Sequence, residues 1–418
     1  MVIYLTLAAA ILAGIYSFRY LRRTAGARIA RWVYLTLAAG TLVYAVADNL
    51  PHPSLYGVAR AVAVAVIFYA CVSIPLSLAG LAQDIFSLVR RMIKGTWPQR
   101  PSRIIFFLGC LTALAGLAVL TEGMVRGKTD FRIERFTLKS PRVPAAFHGY
   151  RIAQISDLHL GSFSPDSPDV PRALKMVQAL DADMIVLTGD ILNDNSADML
   201  PWIDRLAALK APDGKYAVIG NHDYCEYDRS LTPAQRAEQM DSLRAYYRRA
   251  GFEVLDNQSA ALARGSDTLY LAGVENWGTG PFPARGDLDA ATEHIPAGGF
   301  TVLLSHDPAH FQHIVSRYRQ QIDLTLSGHT HAMQFGIRLG RKFQWSPIQY
   351  RYPYWAGPYR KNGRVLYVNR GLGYHFFPAR VGMRPEITLI TLEQGPPPFA
   401  ECAPGQSAGG SGSSFSRR

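Results

Sequence analysis

Four long apolar runs near the start of the chain limit what it can fold into. They cover residues 1–18, 32–47, 61–83 and 104–121. A helix needs about 20 apolar residues to cross the hydrocarbon core of a membrane, with about 17 as the lower end. The third run meets this length and the second, with 16 residues, is marginal. We therefore predict a bundle of about four transmembrane helices over residues 1–128.

Two other interpretations of these runs have less support. A cleaved signal peptide carries basic residues before its apolar region, whereas here Arg19, Arg22 and Arg23 follow the first run and none precedes it. A buried bundle in a soluble protein rarely contains uncharged runs of this length. A multi-pass protein of the cell membrane remains the preferred prediction.

The distribution of charge excludes a basic nucleic-acid-binding domain. The chain has 44 Lys and Arg against 32 Asp and Glu, a formal charge of +12. Residues 1–128 hold 13 basic and three acidic residues, a net of +10, which leaves +2 for the other 290 residues. The basic excess therefore belongs to the membrane segment, and we expect no nucleic-acid partner.

The basic residues also predict the orientation in the membrane. Residues 19–31 contain five arginines, and residues 84–103 contain five further basic residues. Cytoplasmic loops collect Lys and Arg, so both loops are expected on the cytoplasmic side. With four spans, everything after Glu122 is then extracytoplasmic. If the marginal run 32–47 does not span, this orientation inverts.

From residue 129 the pattern changes to that of an α/β domain. Short β-rich runs alternate with helical stretches, which indicates layered sheets and helices with ligand sites where strands end. We predict this domain over residues 129–394, and a disordered Pro, Gly and Ser-rich tail over 395–418. The predicted strands are 150–156, 184–188, 216–219, 268–272, 300–304, 324–326, 365–368 and 386–392, and the predicted helices are 170–180, 197–209 and 233–249.

Polar motifs directly follow five of these strands. Asp157 and His159 are two residues apart, so in an extended chain they point the same way and can share one cation. Asp190 follows a glycine that allows close approach. The remaining motifs are Gly220-Asn221-His222-Asp223, His306-Asp307 and Gly328-His329-Thr330-His331.

Together these motifs predict a metal centre. Asp, Asn and His suit hard or borderline divalent ions, and the absence of a Cys ligand disfavours a structural zinc site. At least seven candidate ligands exceed the need of one ion. We therefore predict two ions, with Asp190 as the shared ligand.

The ordered motifs resemble the calcineurin-like metallophosphoesterase superfamily, and more closely its bacterial membrane-linked branch. The resemblance covers about residues 131–392 and includes the run Asn369-Arg370-Gly371-Leu372-Gly373 and the closing run 384–387. It implies two packed mixed sheets flanked by helices, with two divalent ions at the strand ends. Manganese, zinc and iron are all compatible with it.

The resemblance also implies individual roles. His222 would not bind metal but would act beside the leaving oxygen as an acid or charge stabiliser. A water bridging the two ions would attack the phosphorus in line. The first ion would be held by Asp157, His159, Asp190 and His331, and the second by Asp190, Asn221, His306 and His329.

Three departures from the family pattern bear on these roles. Where relatives carry an acid that orients the catalytic imidazole, this chain has Asn193 followed by Asp194. We expect either that Asp194 reaches His222 through a shifted turn or that an amide holds the imidazole. Close relatives continue the last motif with Gly-Gly-Gln, whereas this chain has residues Ala332-Met333-Gln334. The Arg-Gly that follows Gly-Asp in phosphoprotein phosphatases is missing, which weakens that interpretation.

Several other residues have ordinary interpretations. His310 and His313 are expected on the protein surface, and Cys225 is expected to be a small buried thiol. The aromatic stretch 345–359 is interpreted as packing. His375 lacks a metal-like neighbourhood in the sequence, although it could line the pocket.

Three functions remain open. The first is a membrane-anchored two-metal phosphoesterase or phosphodiesterase that acts on a phosphoester or phospholipid-like substrate. The second is an activity that resembles the UDP-2,3-diacylglucosamine pyrophosphatase known in the superfamily. A cytoplasmic location of the catalytic domain would favour this second function, because its substrate is made there. The third is an inactive metal-binding scaffold or sensor, against which the complete ligand set argues. The sequence indicates no obligate protein partner.

Overall fold

The computed structural model describes residues 2–49, 55–98, 100–228, 230–340 and 343–396. The predicted tail therefore lies outside the described residues from 397 onward. The chain divides into two compact units, Met1–Val125 and Arg126–Arg418.

Among its described residues the N-terminal unit has four helices, and each apolar run of the sequence overlaps one of them. Within the described part of the chain, two segments are long and apolar enough to cross a membrane, Arg60–Lys94 and Arg103–Thr129. In the most apolar 18-residue stretch of each segment, only 28% and 17% of the residues are buried, so apolar side chains cover the helix surfaces. Four spans are not confirmed. The helices are α1 (Val2–Thr24), α2 (Ala27–Asn49), α3 (Leu55–Lys94) and α4 (Arg103–Val125).

Helix α3 is the central element of this unit and contacts the other three helices. A small residue allows its close contact with α4, because a Cβ at Gly109 would lie 2.6 Å from the Cβ of Ala79. Small residues at such contacts are typical of helices that pack in membranes.

The C-terminal unit alternates strands and helices, and all eight predicted strands are present. The predicted helix 197–209 is a 3-10 turn, Ser196–Trp202, followed by a short α-helix, Ile203–Ala207, because Pro201 lacks the N–H that an α-helix needs. The elements are β1 (Arg132–Ser140), β2 (Arg151–Ile155), α5 (Asp169–Gln178), β3 (Met184–Thr188), α6 (Ile203–Ala207), β4 (Lys215–Val218), α7 (Pro233–Arg249), β5 (Glu253–Val254), β6 (Gln258–Arg264), β7 (Asp267–Gly273), α8 (Leu288–Thr292), β8 (Phe300–Leu304), α9 (Pro308–His313), β9 (Leu324–Ser327), β10 (Ile337–Leu339), β11 (Phe343–Trp345), β12 (Gly357–Lys361), β13 (Arg364–Val368) and β14 (Glu386–Gln394).

Two six-stranded mixed sheets form the body of this unit. The first has the order β1-β14-β2-β3-β4-β5, and only the β14–β2 pair in it is antiparallel. The second has the order β12-β13-β9-β8-β7-β6, with antiparallel pairs at its two edges. Strands β10 and β11 form a separate antiparallel hairpin.

The two sheets pack face to face and carry helices on their outer faces. Along β3, Met184 and Val186 belong to the core between the sheets, while Ile185 and Leu187 pack with residues of α5, α6 and α7. This strand is buried on both faces, so its sequence is a continuous apolar run. A third core covers the outer face of the second sheet with α8 and α9. The predicted two packed mixed sheets flanked by helices are confirmed.

The topology brings the polar motifs to one place. Strands β2, β3 and β4 run parallel in one sheet, and β8, β9 and β13 run parallel in the other. The carboxyl ends of parallel strands lie at one edge of a sheet, where ligand sites form. The loops after these strands carry the site described next.

Candidate metal centre

The loops that carry the predicted ligands have an unusual backbone. Five of these residues have positive φ values of 44° to 71°, a region that side chains other than Gly rarely adopt. Such strain persists only where the surrounding structure enforces it, and it concentrates at functional sites. The five residues are Asp157, His159, Asp190, His329 and His331.

The first cluster consists of Asp157, His159, Asp190 and His331, all of which are buried. One ligand atom from each lies within 4.8 Å of the others. The Nε2 atoms of His159 and His331 are 3.0 Å apart, and His331 Nε2 is 3.2 Å from Asp157 Oδ1. This cluster matches the first set of ligands that the sequence predicts.

The second cluster contains Asp190, His306 and His329. His306 Nε2 lies 3.1 Å from Asp190 Oδ2. The amide oxygen of Asn221 lies 2.7 Å from His329 Nδ1 and 3.2 Å from His306 Nε2. Asp190 therefore belongs to both clusters, and Asn221 contacts two histidines of the second.

Hydrogen bonds orient two of the histidines for metal binding. The Nδ1 atoms of His159 and His306 donate to the carbonyl oxygens of Leu192 and Thr188 at 2.9 and 2.7 Å, because a carbonyl can only accept. Each ring therefore turns its Nε2 atom toward its cluster. Buried nitrogen atoms 3.0 Å apart, as in His159 and His331, fit a shared divalent cation.

The electrostatics favour the metal-binding protonation states of Asp190 and His159, whereas burial lowers the pKa of His306 but the carboxylate of Asp190 outweighs it and raises that pKa to about 10. Burial would raise the pKa of Asp190, but the imidazoles of His306 and His222 outweigh it and hold that pKa well below its usual range. Burial lowers the pKa of His159 well below its usual value, and His375 lowers it further. An ionised carboxylate and a neutral imidazole are the forms that coordinate a cation.

His222 is a member of neither cluster but lies next to both of them. Its main-chain N–H donates to Asp190 Oδ1 at 2.8 Å, and its Nδ1 lies 2.6 Å from the main-chain oxygen of Asn193. Its ring is 5.0 Å from that of His159 and 4.2 Å from that of His375. Burial lowers the pKa of His222.

The expectation that Asp194 orients His222 differs from the structure. The main-chain carbonyl of Asn193 holds the imidazole, and the Asn193 side chain donates to Ser162 Oγ at 3.0 Å. Within the described part of the chain, no hydrogen bond joins Asp194 to His222. Asp194 Oδ1 is buried and has no hydrogen-bond partner among those residues. The described structure therefore gives Asp194 no orienting contact with His222, and its catalytic role stays a prediction.

Asp194 nevertheless has a strongly altered pKa and predicts a pH effect. Burial, with the nearby carboxylates of Asp228 and Asp198, raises its pKa to about 7. A carboxyl group titrates near pH 4 in an unfolded chain. Its contribution to stability is therefore complete below about pH 4 and is lost as the pH rises through about 7.

We therefore expect Asp194→Asn to stabilise the protein at pH 8 by about 1–2 kcal/mol, a value reduced for partial solvent exposure. The variant and the wild type should be equally stable near pH 4. Thermal unfolding at both pH values measures this, with the exposed Asp166→Asn as the matched control. Equal stability of the variant and the wild type at pH 8 would contradict the raised pKa of Asp194.

Asp223 is a structural residue that the sequence did not identify. Its carboxylate is fully buried and accepts four main-chain N–H groups, those of Asp190, Ile191, Leu192 and Gly220, at 2.8–3.1 Å. It thereby joins the loops after β3 and β4, which carry ligands of both clusters. Its place in the Gly-Asn-His-Asp motif was the only available signal.

Two tyrosines contact predicted ligands. Tyr352 OH lies 2.8 Å from His329 Nε2, so part of the aromatic stretch interpreted as packing orients a ligand. Asn221 Nδ2 donates to Tyr227 OH at 2.9 Å, which turns the amide oxygen toward the second cluster. Neither tyrosine has a sequence signal, because each comes from a loop remote from its partner.

His375 lies in the site, although its neighbours in the sequence include no other candidate metal ligand. Its ring is stacked 4.8 Å from His159, and these two form with His222 a group of three imidazoles. Gln334 fixes its position, since the Gln334 Oε1 accepts the main-chain N–H of His375 at 2.6 Å. Gln334 belongs to a run with φ values of 47°, 55° and 54°, so the backbone after His331 stays left-handed without glycine.

Two further expectations have opposite outcomes. His310 is fully buried, with Nδ1 2.9 Å from Ser305 Oγ, so its placement on the surface was wrong. Burial lowers the pKa of His310 to about 3, which keeps it neutral. His313 is exposed and Cys225 is a buried thiol, as predicted.

Comparison with known proteins identifies the family. Residues 150–333 match the calcineurin-like phosphoesterase family. The metallophosphoesterase YkuE of Bacillus subtilis is 30% identical over 307 residues, which cover 71% of this chain and 99% of YkuE. The chain belongs to the calcineurin-like metallophosphoesterase family. It is therefore a hydrolase, and its family uses divalent metals.

The names of two other relatives state a transmembrane protein and a pyrophosphatase. A zebrafish (Danio rerio) transmembrane protein with a metallophosphoesterase domain is 29% identical, over 69% of this chain and 63% of that protein. The UDP-2,3-diacylglucosamine pyrophosphatase LpxG of Chlamydia trachomatis is 28% identical, over 58% of this chain and 83% of LpxG. The first relative and the two apolar helices indicate membrane association.

Proposed function

We propose that the protein is a membrane-anchored phosphoesterase that uses two divalent ions. The observation that carries this proposal is the position of Asp190, whose carboxylate belongs to both buried clusters. Asp157, His159 and His331 would complete the first ion site, and Asn221, His306 and His329 the second. No cysteine thiol offers a ligand in either cluster.

The ions, when bound, supply positive charge that polarises a phosphoryl group and activates water. The chain itself positions these groups. Asp223 holds the loops after β3 and β4 together, and the carbonyl oxygens of Leu192 and Thr188 fix the rings of His159 and His306.

His222 is proposed as the residue that acts on the leaving oxygen. The main-chain oxygen of Asn193 accepts from its Nδ1, so its Nε2 faces the site. A hydrogen bond or proton from a histidine in this position stabilises the charge that develops on the leaving group. The nearby ring of His375 is placed to contact the same substrate.

Hydrolysis of two chromogenic esters by the full-length protein in detergent tests the proposal. We expect activity on bis-p-nitrophenyl phosphate or p-nitrophenyl phosphate that depends on added Mn²⁺ or Zn²⁺ and disappears with a chelator. The ratio of the two rates gives the preference for diesters or monoesters. No hydrolysis of either ester with both metals present would contradict the proposal.

A second candidate function is a pyrophosphatase that acts on a nucleotide-linked lipid, as the name of LpxG states for that protein. The similarity over 83% of LpxG favours this candidate. UDP-2,3-diacylglucosamine offered to the same preparation tests it, and release of UMP would support it.

The side of the membrane separates the two candidates. We propose that the catalytic unit is extracytoplasmic, since the basic loops 19–31 and 84–103 both favour the cytoplasmic side. An alkaline phosphatase fused after Leu392 should then be active in cells. An inactive fusion, with a fluorescent cytoplasmic reporter at the same position, would place the unit in the cytoplasm and favour the nucleotide-linked lipid.

A further inference from the structure

The β10–β11 hairpin exposes an apolar face directly after the metal centre. From Met333 onward every second side chain is apolar and exposed, and Leu339 reaches 67% exposure. Leu339 pairs across the hairpin with Phe343, which is 49% exposed. Paired residues lie on the same face of a hairpin. We call this face the apolar strip; it consists of Met333, Phe335, Ile337, Leu339 and Phe343.

The polar residues of the hairpin point in the opposite direction, toward the protein. Arg338 donates to both carboxylate oxygens of Glu134 on β1, one of them at 3.2 Å. Gln344 Nε2 donates to the carbonyl oxygen of Ala356 at 3.1 Å. These contacts fix the orientation of the hairpin, so the apolar strip is the outer face. A hairpin at a soluble surface normally shows the reverse pattern.

An exposed apolar face of this kind indicates a surface that binds a membrane or another protein. A candidate membrane-spanning helix lies close to this unit in the sequence. Helix α4, which is long and apolar enough to span a membrane, ends at Val125, and β1 begins at Arg132, with six residues between them. Six extended residues reach at most about 22 Å, so the catalytic unit stays within reach of a bilayer.

The charges of the hairpin sequence also suit a bilayer. In the sequence, Arg341 and Lys342 lie between Leu339 and Phe343, and no acidic residue occurs between Phe335 and Trp345. Basic residues beside an apolar face attract anionic headgroups, and aromatic residues such as Phe343 and Trp345 suit the membrane interface.

We propose that the apolar strip docks on the surface of a lipid bilayer. The strip starts at Met333, two residues after the predicted ligand His331, and its extended part from Phe335 to Leu339 covers about 13 Å at about 3.3 Å per residue. Docking therefore places the metal centre beside the lipid headgroups. The substrate class that follows is a phosphoester of a membrane lipid, and this consequence rests on the proposed function.

A fluorescence experiment tests the docking without requiring activity. The full-length protein, with its four native cysteines replaced by alanine, receives one cysteine in place of Leu339 and an environment-sensitive NBD label. The matched control carries the label in place of Leu200, an apolar residue of the same unit that is 46% exposed. Both proteins are placed in nanodiscs of phosphatidylcholine and phosphatidylglycerol, with or without nitroxide-labelled lipid.

We expect the label at position 339 to shift to shorter wavelength and to lose more than half of its emission with nitroxide lipid. The label at position 200 should change little. Equal behaviour of the two labels would overturn the proposal. A shift at position 339 without quenching by the lipid would also overturn it, since a second copy of the chain would then cover the strip.

An activity measurement separates this inference from the proposed function. The double variant Leu339→Ser, Phe343→Ser should keep the wild-type rate on soluble bis-p-nitrophenyl phosphate. On a phosphoester lipid such as phosphatidic acid or phosphatidylglycerol, whichever the wild type hydrolyses in nanodiscs, it should lose at least tenfold. Equal loss on the soluble ester would overturn a docking role. A wild type inactive on every ester would contradict the proposed function, while the fluorescence result would stand.

Discussion

Replacing Asp190 with alanine is expected to abolish hydrolysis and to remove both ions. Asp190 Oδ2 lies 3.1 Å from His306 Nε2 and 3.9 Å from His159 Nε2, one histidine from each cluster. The substitution would leave each ion with one fewer anionic ligand. Because an ion of this kind contributes several kcal/mol of transition-state stabilisation, we expect a loss of at least about 10³-fold in kcat.

Metal analysis together with steady-state kinetics measures this effect. In the wild type the main-chain N–H of His222 donates to Asp190 Oδ1 at 2.8 Å. Asp190→Asn retains an oxygen that can accept this hydrogen bond, so this variant isolates the effect of the lost charge. The exposed Asp204→Ala is the matched control and should retain both ions and full activity. An Asp190→Ala variant that binds two ions and retains near wild-type activity would refute the shared-ligand assignment.

His222→Ala is expected to lower kcat by about 10²- to 10⁴-fold while the metal content stays at the wild-type level. The imidazole is held by the main-chain oxygen of Asn193, and its main-chain N–H, which contacts Asp190, survives the substitution. The variant therefore loses only the group proposed to act on the leaving oxygen.

The leaving group provides an independent readout of this role. A poor leaving group such as phenolate needs more stabilisation than p-nitrophenolate, so the variant should lose more activity on the phenyl ester than on the p-nitrophenyl ester. An equal loss on both esters would argue against action at the leaving oxygen. Loss of metal from the variant would instead show that His222 is a ligand.

The sequence alone determined the sheets and the positions of the ligands along the chain. Runs such as 184–188 are apolar throughout and end in a polar motif, because a strand buried on both faces must meet solvent where it ends. Asp157, Asp190 and His306 therefore stood out as strand-end residues. Parallel neighbours then bring such ends to one edge, so a metal centre there was predictable from order and spacing, while the two sets of ligands were implied by the family resemblance.

The membrane segment shows where the sequence was less decisive. Its apolar runs correctly indicated four helices, but length and composition within the described residues qualify only Arg60–Lys94 and Arg103–Thr129 as spans. The orientation depends on the number of spans, and it therefore stays a prediction.

Contacts between loops that are distant in sequence were decided only by the tertiary structure. Tyr352 reaches His329, Gln334 positions His375, and the main-chain carbonyl of Asn193 replaces the acid expected at His222. A main-chain oxygen leaves no signature in the sequence, and a loop residue shows its partner only after the chain has folded. The strand periodicity fixed which residues could meet a metal ion, and the packing of loops determined which groups hold them in place.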